Sequence, residues 1–279
     1  GVGLVGSEMC IRDSLLIYLY HKQQLKLFYI CTLKQDFTEL KKILQKNSKF
    51  TFLSGAGLST SSGLPDFRSD PDGFWKKNTP VTFQEFQKSE MSRIKSWTNN
   101  FEILNKIRNS SPSNMHNFIN KILSRRPENI HIAQNIDGLH RSHKFKDQIV
   151  EIHGSVHTSS CLSCNKQYET LKFYEENILK QQNSNCNSCK DGLVKVDTIS
   201  FGQALSQISL KKAQEASENC DFFIAVGTSL KVSPANQFPN IALQNNAKLI
   251  ILNKEETSFD KRALLVINED LEEIHEQIN

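Results

Sequence analysis

Short runs of bulky apolar residues recur along the chain, and glycine or polar residues follow each run directly. The first run, Phe50–Leu53, passes straight into Ser54-Gly55-Ala56-Gly57. Apolar runs of this length are typical of strands that are buried on both faces of a parallel sheet. The pattern predicts six strands: Phe50–Leu53, Ile130–Ala133, Ile149–Ile152, Thr198–Phe201, Phe222–Val226 and Leu249–Leu252.

The residues that follow these predicted strands carry most of the unusual chemistry of the chain. In an open α/β sheet, ligands bind outside the carboxyl ends of the strands, so we expect the six tails to converge on one crevice. Besides the glycine turn after Leu53, the tails are Gln134–His140, His153-Gly154-Ser155, Gly202-Gln203, Gly227-Thr228-Ser229 and Asn253.

Helices are predicted between and around the strands from apolar spacing and capping residues. They are an amphipathic helix over Asp36–Gln45 with Asp36 as its N-cap, a helical segment from about Phe83 to Ile122, a helix from Ser233-Pro234 to about Gln244, and a last helix capped by Asp270. Alternation of strands and helices indicates the α/β class.

The glycine turn after the first strand suits a nucleotide. Glycine has no Cβ, so the backbone at Gly55 and Gly57 can approach a ligand, and the amides that open a helix can hold a pyrophosphate. The turn lacks a third glycine at the usual dinucleotide spacing, since Gly63 comes too late. By itself, it leaves a plain strand-to-helix connection open. The cluster Leu64–Arg68 suits a loop that closes over a charged ligand.

Four cysteines form two C-x-x-C pairs, Cys161/Cys164 and Cys186/Cys189. Paired knuckles of this kind hold Zn²⁺ with four thiolates at about 2.3 Å. The alternatives are a disulfide pair or a redox motif, which two matched knuckles without a secretion signal disfavour. Because all four ligands are cysteines, the zinc is predicted to be structural. The remaining cysteines, interpreted as leader, bystander or core residues, are Cys10, Cys31 and Cys220.

We therefore predict a Rossmann-type parallel sheet with a smaller zinc-binding and helical domain inserted. The large domain is expected to combine residues 34–70, 127–155 and 195–279, and the small domain residues 71–126 and 156–194. Residues 1–14 look like a translated library adapter, and residues 1–33 are interpreted as a leader that is artefactual or disordered.

The net charge of the chain and the length of its apolar runs limit the kinds of partner that we expect. The net charge is only +4 and no Lys/Arg run exceeds two residues, so we expect no direct nucleic-acid binding. The apolar run Leu15–Tyr20 is too short to span a bilayer, so we expect no membrane association. An intracellular protein is expected, cytoplasmic or nuclear, with a mitochondrial location left open by the unreliable amino terminus.

Taken together, the motifs resemble those of one family, the sirtuins, which are NAD-dependent protein lysine deacylases. They are G-A-G-L-S-T-S-S-G-L-P-D-F-R-S, Q-N-I-D-G-L-H, H-G-S, the two cysteine knuckles, F-G and G-T-S-L-K-V-S-P-A. They occur in the family's order and cover about Asp36 to Asn279.

The resemblance implies a deacetylase (deacylase) that transfers the acyl group of acyl-lysine to ADP-ribose and releases nicotinamide and O-acyl-ADP-ribose. The implied cofactors are NAD and structural Zn²⁺, and the implied partner is an acylated protein. The implied cofactor-binding residues are Gly55, Ala56, Gly57, Asp66, Phe67, Arg68, Gln134, Asn135, Asp137, Gly227, Thr228, Ser229 and Asn253. The implied substrate-binding residues are Phe201, Gly202, Lys231, Val232 and Pro234, and the implied catalytic residues are His153, Asn135 and Asp137.

In that chemistry, His153 is the general base. The acyl oxygen attacks the ribose as nicotinamide leaves, and an imidazole then deprotonates the ribose hydroxyl that attacks the acyl carbon. A lone histidine at a strand end is usually structural, and it is the place of His153 within this motif set that favours the base role. His116 and His140 are interpreted as structural partners.

Three positions depart from the family pattern: Val196 replaces Pro, Gln203 replaces Glu and Ala133 replaces Thr. None touches a reacting atom, so activity is expected, but Gln203 weakens any demand for a basic residue in the peptide. Removal of acetyl or longer apolar groups is expected over removal of succinyl. Two other functions stay open: protein mono-ADP-ribosyl transfer, which product identity distinguishes, and a non-catalytic NAD/ADP-ribose sensor, which would release no nicotinamide.

Overall fold

The structure, a computed structural model, describes residues 33–64, 79–181 and 183–279. The described residues divide into two units, residues 33–46 with Ile278 and the described residues of 47–277 with Asn279. In the first unit, helix α1 covers residues 33–44, and its residues Leu40 and Ile43 are fully buried. The predicted amphipathic helix is confirmed, but Asp36 lies inside it and is not its N-cap. Of the predicted leader, residues 1–32 lie outside the described residues.

The described residues of the second unit form nine strands. They are β1 (Phe50–Ser54), β2 (Ile130–Ala133), β3 (Ile149–Glu151), β4 (Thr158–Cys161), β5 (Gln167–Glu169), β6 (Val194–Val196), β7 (Phe222–Val226), β8 (Lys248–Leu252) and β9 (Leu265–Ile267). The main sheet has the order β3-β2-β1-β7-β8-β9, and all its neighbouring strands are parallel.

This strand order is that of a Rossmann sheet, with the switch point between β1 and β7. Both strands are buried at every position, as expected in the centre of a parallel sheet. Ser54 pairs with Val226 in register, so the turns that follow the two strands begin side by side. The predicted Rossmann-type sheet is confirmed. By the general rule for open α/β sheets, a ligand is expected outside these turns.

The strand predicted at Thr198–Phe201 is wrong, because this segment is irregular. Its backbone is used elsewhere: Ile199 N donates to His153 O at 3.0 Å, and Thr198 O accepts from the Lys195 ammonium at 2.5 Å. The sheet instead gains β9, which the sequence interpretation missed. The other five predicted strands are present, with ends that differ by at most one residue.

Eight further α-helices are described. They are α2 (Gly57–Thr60), α3 (Phe83–Lys88), α4 (Glu90–Ile107), α5 (Asn114–Leu123), α6 (Thr170–Phe173), α7 (Gln207–Glu218), α8 (Phe238–Gln244) and α9 (Leu271–Ile278). Asp270 caps α9 as predicted, whereas a 3-10 turn, Ala235–Gln237, replaces the start predicted for α8. None of the described helices is both long enough and apolar enough to cross a bilayer.

A second sheet, β5-β4-β6, is antiparallel and shares a core with the helical segment. Trp97 of α4 stacks on Phe173 with ring centroids 5.1 Å apart. Its indole nitrogen donates to Val194 O of β6 at 3.1 Å, which satisfies the one polar atom of the buried ring. The helical segment and the cysteine-bearing sheet therefore pack as one body.

Candidate functional site

Glycines at the switch point allow two loops to touch. A Cβ on Gly55 would lie 2.7 Å from the Cβ of Thr228, and a Cβ on Gly57 would lie 2.8 Å from Cα of Gly227. Gly227 itself has φ +57° and would place a Cβ 2.5 Å from Leu58 N. These glycines are therefore required for the turns after β1 and β7 to pack against each other. That packing sets Gly55 beside Thr228 at the carboxyl ends of the central strands.

Backbone donors are available at this junction. Within the described residues, no hydrogen bond uses the N–H groups of Ala56, Thr228 or Ser229. Amides grouped at the carboxyl ends of central strands are suitable donors for phosphate oxygens. These three N–H groups are therefore available to donate to a phosphate, and the pyrophosphate cradle stays a prediction.

Asn135 is held in one orientation by its amide nitrogen. Nδ2 donates to Gly55 O at 3.0 Å and to Ser59 Oγ at 3.0 Å. Both amide hydrogens are then used, so Oδ1 is the atom with which Asn135 can accept a hydrogen bond. The neighbouring Gln134 donates from Nε2 to Ser54 O and to Thr228 Oγ1, each at 3.0 Å, and so ties β2 to both turns.

Asp137 lies behind Asn135 and is only 3% exposed. Its Oδ2 accepts from Ser59 Oγ at 2.8 Å, and its Oδ1 accepts from Leu139 N at 2.9 Å. The carboxylate therefore fixes the Ser59 hydroxyl, which in turn fixes the Asn135 amide. Ser59 was missed from the sequence, although it stands two residues after Gly57 in the quoted motif.

His153 follows β3 and faces the same junction. Its Nδ1 lies 3.0 Å from Gln134 O. A carbonyl oxygen can only accept, so Nδ1 carries the hydrogen and Nε2 is the proton-accepting nitrogen of the neutral ring. The ring is partly buried, which leaves it access to the crevice. The site residues on β1, β2 and β3 are therefore joined by direct hydrogen bonds.

The carboxylate nearest His153 in sequence is fully paired. Glu151 accepts from Arg141 at 2.7 Å through both oxygens and lies 2.8 Å from His140 Nε2. Burial raises the pKa of Glu151, but the hydrogen bonds from His140 and Arg141 outweigh it and lower the pKa to about 2. The end of β3 therefore carries a closed ion pair at neutral pH.

Two other histidines are buried near this junction. Burial lowers the pKa of His116 to about 4 and holds the pKa of His131 well below its usual value. His116 Nδ1 lies 2.8 Å from Ser113 Oγ, and His131 Nε2 lies 2.8 Å from Ser54 Oγ. Both rings are neutral at physiological pH; His131 joins β2 to β1, and His116 binds the N-cap residue of its own helix.

The remaining predicted contacts lie on several segments that differ in exposure, from the exposed Phe201 to the buried Asn253. Phe201 is 70% exposed, and its carbonyl accepts from Phe83 N at 3.0 Å, while Gly202 has φ +79°. Lys231 is exposed, and Val232 and Pro234 are partly buried. Asn253 follows β8 and donates from Nδ2 to Glu255 O at 2.6 Å. Asp66, Phe67 and Arg68 lie outside the described residues.

The four knuckle cysteines converge beside the small sheet. All four sulfurs lie within 4.8 Å of one another, and the pairs Cys161/Cys189 and Cys164/Cys186 are 3.7 Å apart. A tetrahedron with Zn–S bonds of about 2.3 Å has sulfur–sulfur edges of about 3.8 Å. Four thiol ligands at this spacing fit Zn²⁺ in a closed site, with no position left for a substrate.

Comparison with known proteins agrees with this geometry. Residues 55–234 match the sequence model of the Sir2 family. An NAD-dependent protein deacetylase of Rhodopseudomonas palustris is 35% identical over 244 residues, which cover 87% of this chain and 95% of that protein. An NAD-dependent protein deacetylase of Thermodesulfovibrio yellowstonii is 36% identical over 229 residues, which cover 81% of this chain and 87% of that protein. A solved structure of Sir2Tm bound to a propionylated peptide matches with TM-score 0.74 at 28% identity, and the match covers 86% of this chain and 96% of that one.

Proposed function

Because this chain belongs to the Sir2 family, we propose that it is an NAD-dependent protein lysine deacetylase that acts on acylated proteins. The observation that carries the proposal is the hydrogen-bonded junction of Gly55, Asn135, Gln134 and His153 at the switch point of the sheet. A nucleotide-binding turn, an oriented amide acceptor and a proton acceptor meet there, as acyl transfer to ADP-ribose requires.

In this proposal, the switch-point loops bind NAD and His153 is the base. Bound NAD supplies a ribose carbon that becomes electrophilic as nicotinamide leaves. Asn135 accepts a hydrogen bond from the ligand through Oδ1, and His153 removes a ribose hydroxyl proton through Nε2. Asp137 acts through Ser59 and not by direct contact. The other proposed NAD contacts are Gly55, Ala56, Gly57, Asp66, Phe67, Arg68, Gln134, Gly227, Thr228, Ser229 and Asn253.

The substrate peptide is proposed to add as a strand between Phe201-Gly202 and the segment Lys231 to Pro234. The exposure of Phe201 and Lys231 supports this placement. We further propose a large domain of residues 34–70, 127–155 and 195–279 and a small domain of residues 71–126 and 156–194, with the substrates in the cleft between them. We also propose that the enzyme removes acetyl and longer apolar acyl groups, acts inside the cell and does not bind nucleic acid directly.

The deciding experiment is mass spectrometry of an acetyl-lysine peptide incubated with NAD and the protein. We expect free lysine and O-acetyl-ADP-ribose from the wild type. In His153→Ala, the rate should fall by at least about a hundredfold, because general-base catalysis typically contributes about 10²–10⁴-fold to the rate. His143→Ala, which changes an exposed histidine of the 3-10 turn His143–Phe145, is the matched control and should retain full activity.

Other product patterns would overturn the deacetylase assignment. Nicotinamide release with the acetyl group untouched would indicate ADP-ribosyl transfer or NAD hydrolysis. No turnover of acetyl or longer-chain peptides by protein that binds zinc and NAD would indicate a sensor. A His153→Ala variant as active as wild type would remove His153 from the base role while leaving the activity itself in place.

Ser59→Ala should lower kcat/KM by about tenfold to a hundredfold, because it frees the Asn135 amide and leaves the buried Asp137 Oδ2 without its donor. Steady-state kinetics with varied NAD measure the effect. Ser62→Ala is a matched control in the turn that follows α2, since the buried Ser62 hydroxyl has no hydrogen-bond partner among the described residues. If both variants lose activity equally, the Ser59 hydroxyl does not orient Asn135.

A further inference from the structure

A buried lysine stands outside the site described above. Lys195 lies in the middle of β6 and is only 3% exposed. Burial lowers the pKa of its ammonium to about 8, although the charge of Asp197 opposes the shift. Among the described residues, no carboxylate forms an ion pair with it. Burying a cation in this way is costly unless its hydrogen bonds compensate, so its contacts call for an explanation.

The Lys195 ammonium binds the chain just beyond its own strand. Nζ donates to Val196 O at 3.0 Å and to Thr198 O at 2.5 Å. Two carbonyls separated by one residue are thus drawn toward a single cation. The contact fixes the path of residues 196–198 as they leave β6, where no sheet ladder continues.

That stretch is the surface on which the His153 loop rests. Ile199 N donates to His153 O at 3.0 Å, and Ser155 N donates to Asp197 O at 3.4 Å. Thr198 Oγ1 also donates to Asn100 Oδ1 of α4 at 3.0 Å. The chain then continues directly into Phe201-Gly202, the proposed peptide-binding segment. One short stretch therefore supports both the proposed base and the proposed substrate strand.

We propose that Lys195 is a positioning residue: its ammonium binds the carbonyls of Val196 and Thr198 and so holds residues 196–199 against His153-Gly154-Ser155 and in line with Phe201-Gly202. This role rests on the proposed deacetylase function. In this proposal, Lys195 touches neither NAD nor the acyl group. It affects peptide binding and the base His153 through the backbone of residues 196–199.

A cavity next to Lys195 makes this role directly testable. The cavity has a volume of about 280 Å³ and is lined by Lys195, Asp197 and the stretch Gln203 to Ser206, among others. Because Lys195 forms part of its wall, we expect truncation of the side chain to alanine to join the cavity to the two carbonyl oxygens. A small alkylammonium ion that enters by this route can donate to the same carbonyls.

The experiment is deacetylation kinetics of Lys195→Ala with and without ethylammonium or propylammonium. We expect kcat/KM for the peptide to fall by about tenfold to a hundredfold, with the KM for NAD changed by no more than about twofold, since the switch-point loops are untouched. Millimolar alkylammonium should restore a large part of the loss with saturable dependence. Lys195→Met, which fills the space but cannot donate, should show the same loss without restoration.

Controls separate this role from simple destabilisation and from failure of the deacetylase assignment. Lys172→Ala removes an exposed lysine of α6 and should behave as wild type with or without amine. Zinc content and thermal unfolding verify that the variants are folded. Wild-type kinetics in Lys195→Met, or a loss in Lys195→Ala that alkylammonium leaves unchanged, overturns the proposal. An inactive wild type refutes the deacetylase function instead, which is a separate result.

Discussion

Gly154→Ala should reduce kcat/KM by more than about a hundredfold, because it displaces the proposed base from its support. Gly154 has φ +73°, and a Cβ there would lie 1.9 Å from Asp197 O, a backbone atom that cannot rotate away. The left-handed conformation costs a residue with a Cβ about 1–2 kcal/mol, and forced separation of packed segments typically adds about 1–3 kcal/mol. Steady-state kinetics and urea unfolding of the purified variant measure the two effects.

Gly63→Ala provides the matched control for backbone conformation. Gly63 has φ +81°, but no atom of the described residues lies within 4 Å of the Cβ position. This substitution should therefore lower the free energy of unfolding only by the cost of the left-handed conformation. Its kinetics should stay close to those of wild type. Equal kinetic losses in the two variants would mean that strain alone, without contact between the His153 loop and Asp197, explains the Gly154 result.

The sheet was predictable from sequence where apolar runs are continuous. Phe222–Val226 contains no polar residue and is the strand β7 at the predicted bounds. Thr198–Phe201 mixes polar and apolar residues, and its backbone binds Lys195 and the His153 loop instead of a neighbouring strand. β9, Leu265–Ile267, was missed because a run this short at a sheet edge carries little pattern of its own.

The clustering of the knuckle cysteines was predictable because their residue type and spacing are tied to one chemical task. For His153, the structure gives its place beside Gln134 O, and the base role stays a prediction. The role of Gly55 and Gly57 was only partly recognised, because the structure uses them to pack the β1 turn against Gly227 and Thr228. Ser59 and Lys195 were missed for a common reason. Each acts through a partner that is distant or unspecified in sequence, Asp137 for the first and two backbone carbonyls for the second.

Removal of zinc should abolish deacetylation, even though the closed site offers no position for a substrate. Structural zinc can contribute on the order of 10 kcal/mol to folding, so the small sheet should not survive without it. Cys161 ends β4, which pairs with β6 through the register Ser160↔Lys195. Loss of this pairing releases Lys195 and, with it, residues 196–199 beneath His153. During chelation, the release of zinc, the appearance of titratable thiols and the loss of activity should follow one time course.

The same experiment distinguishes a structural zinc from a catalytic one. Cys186→Ser should lose zinc and activity together, whereas Cys220→Ser should keep both, because Cys220 is a buried core thiol whose pKa burial raises to about 11. Protein loaded with Co²⁺ should keep kcat within about twofold of the zinc form, since both ions accept four thiolates in a tetrahedron and neither meets the substrate. A kcat that changes strongly with the metal, or activity that outlasts zinc release, would contradict a role confined to holding β4 and β6 in place.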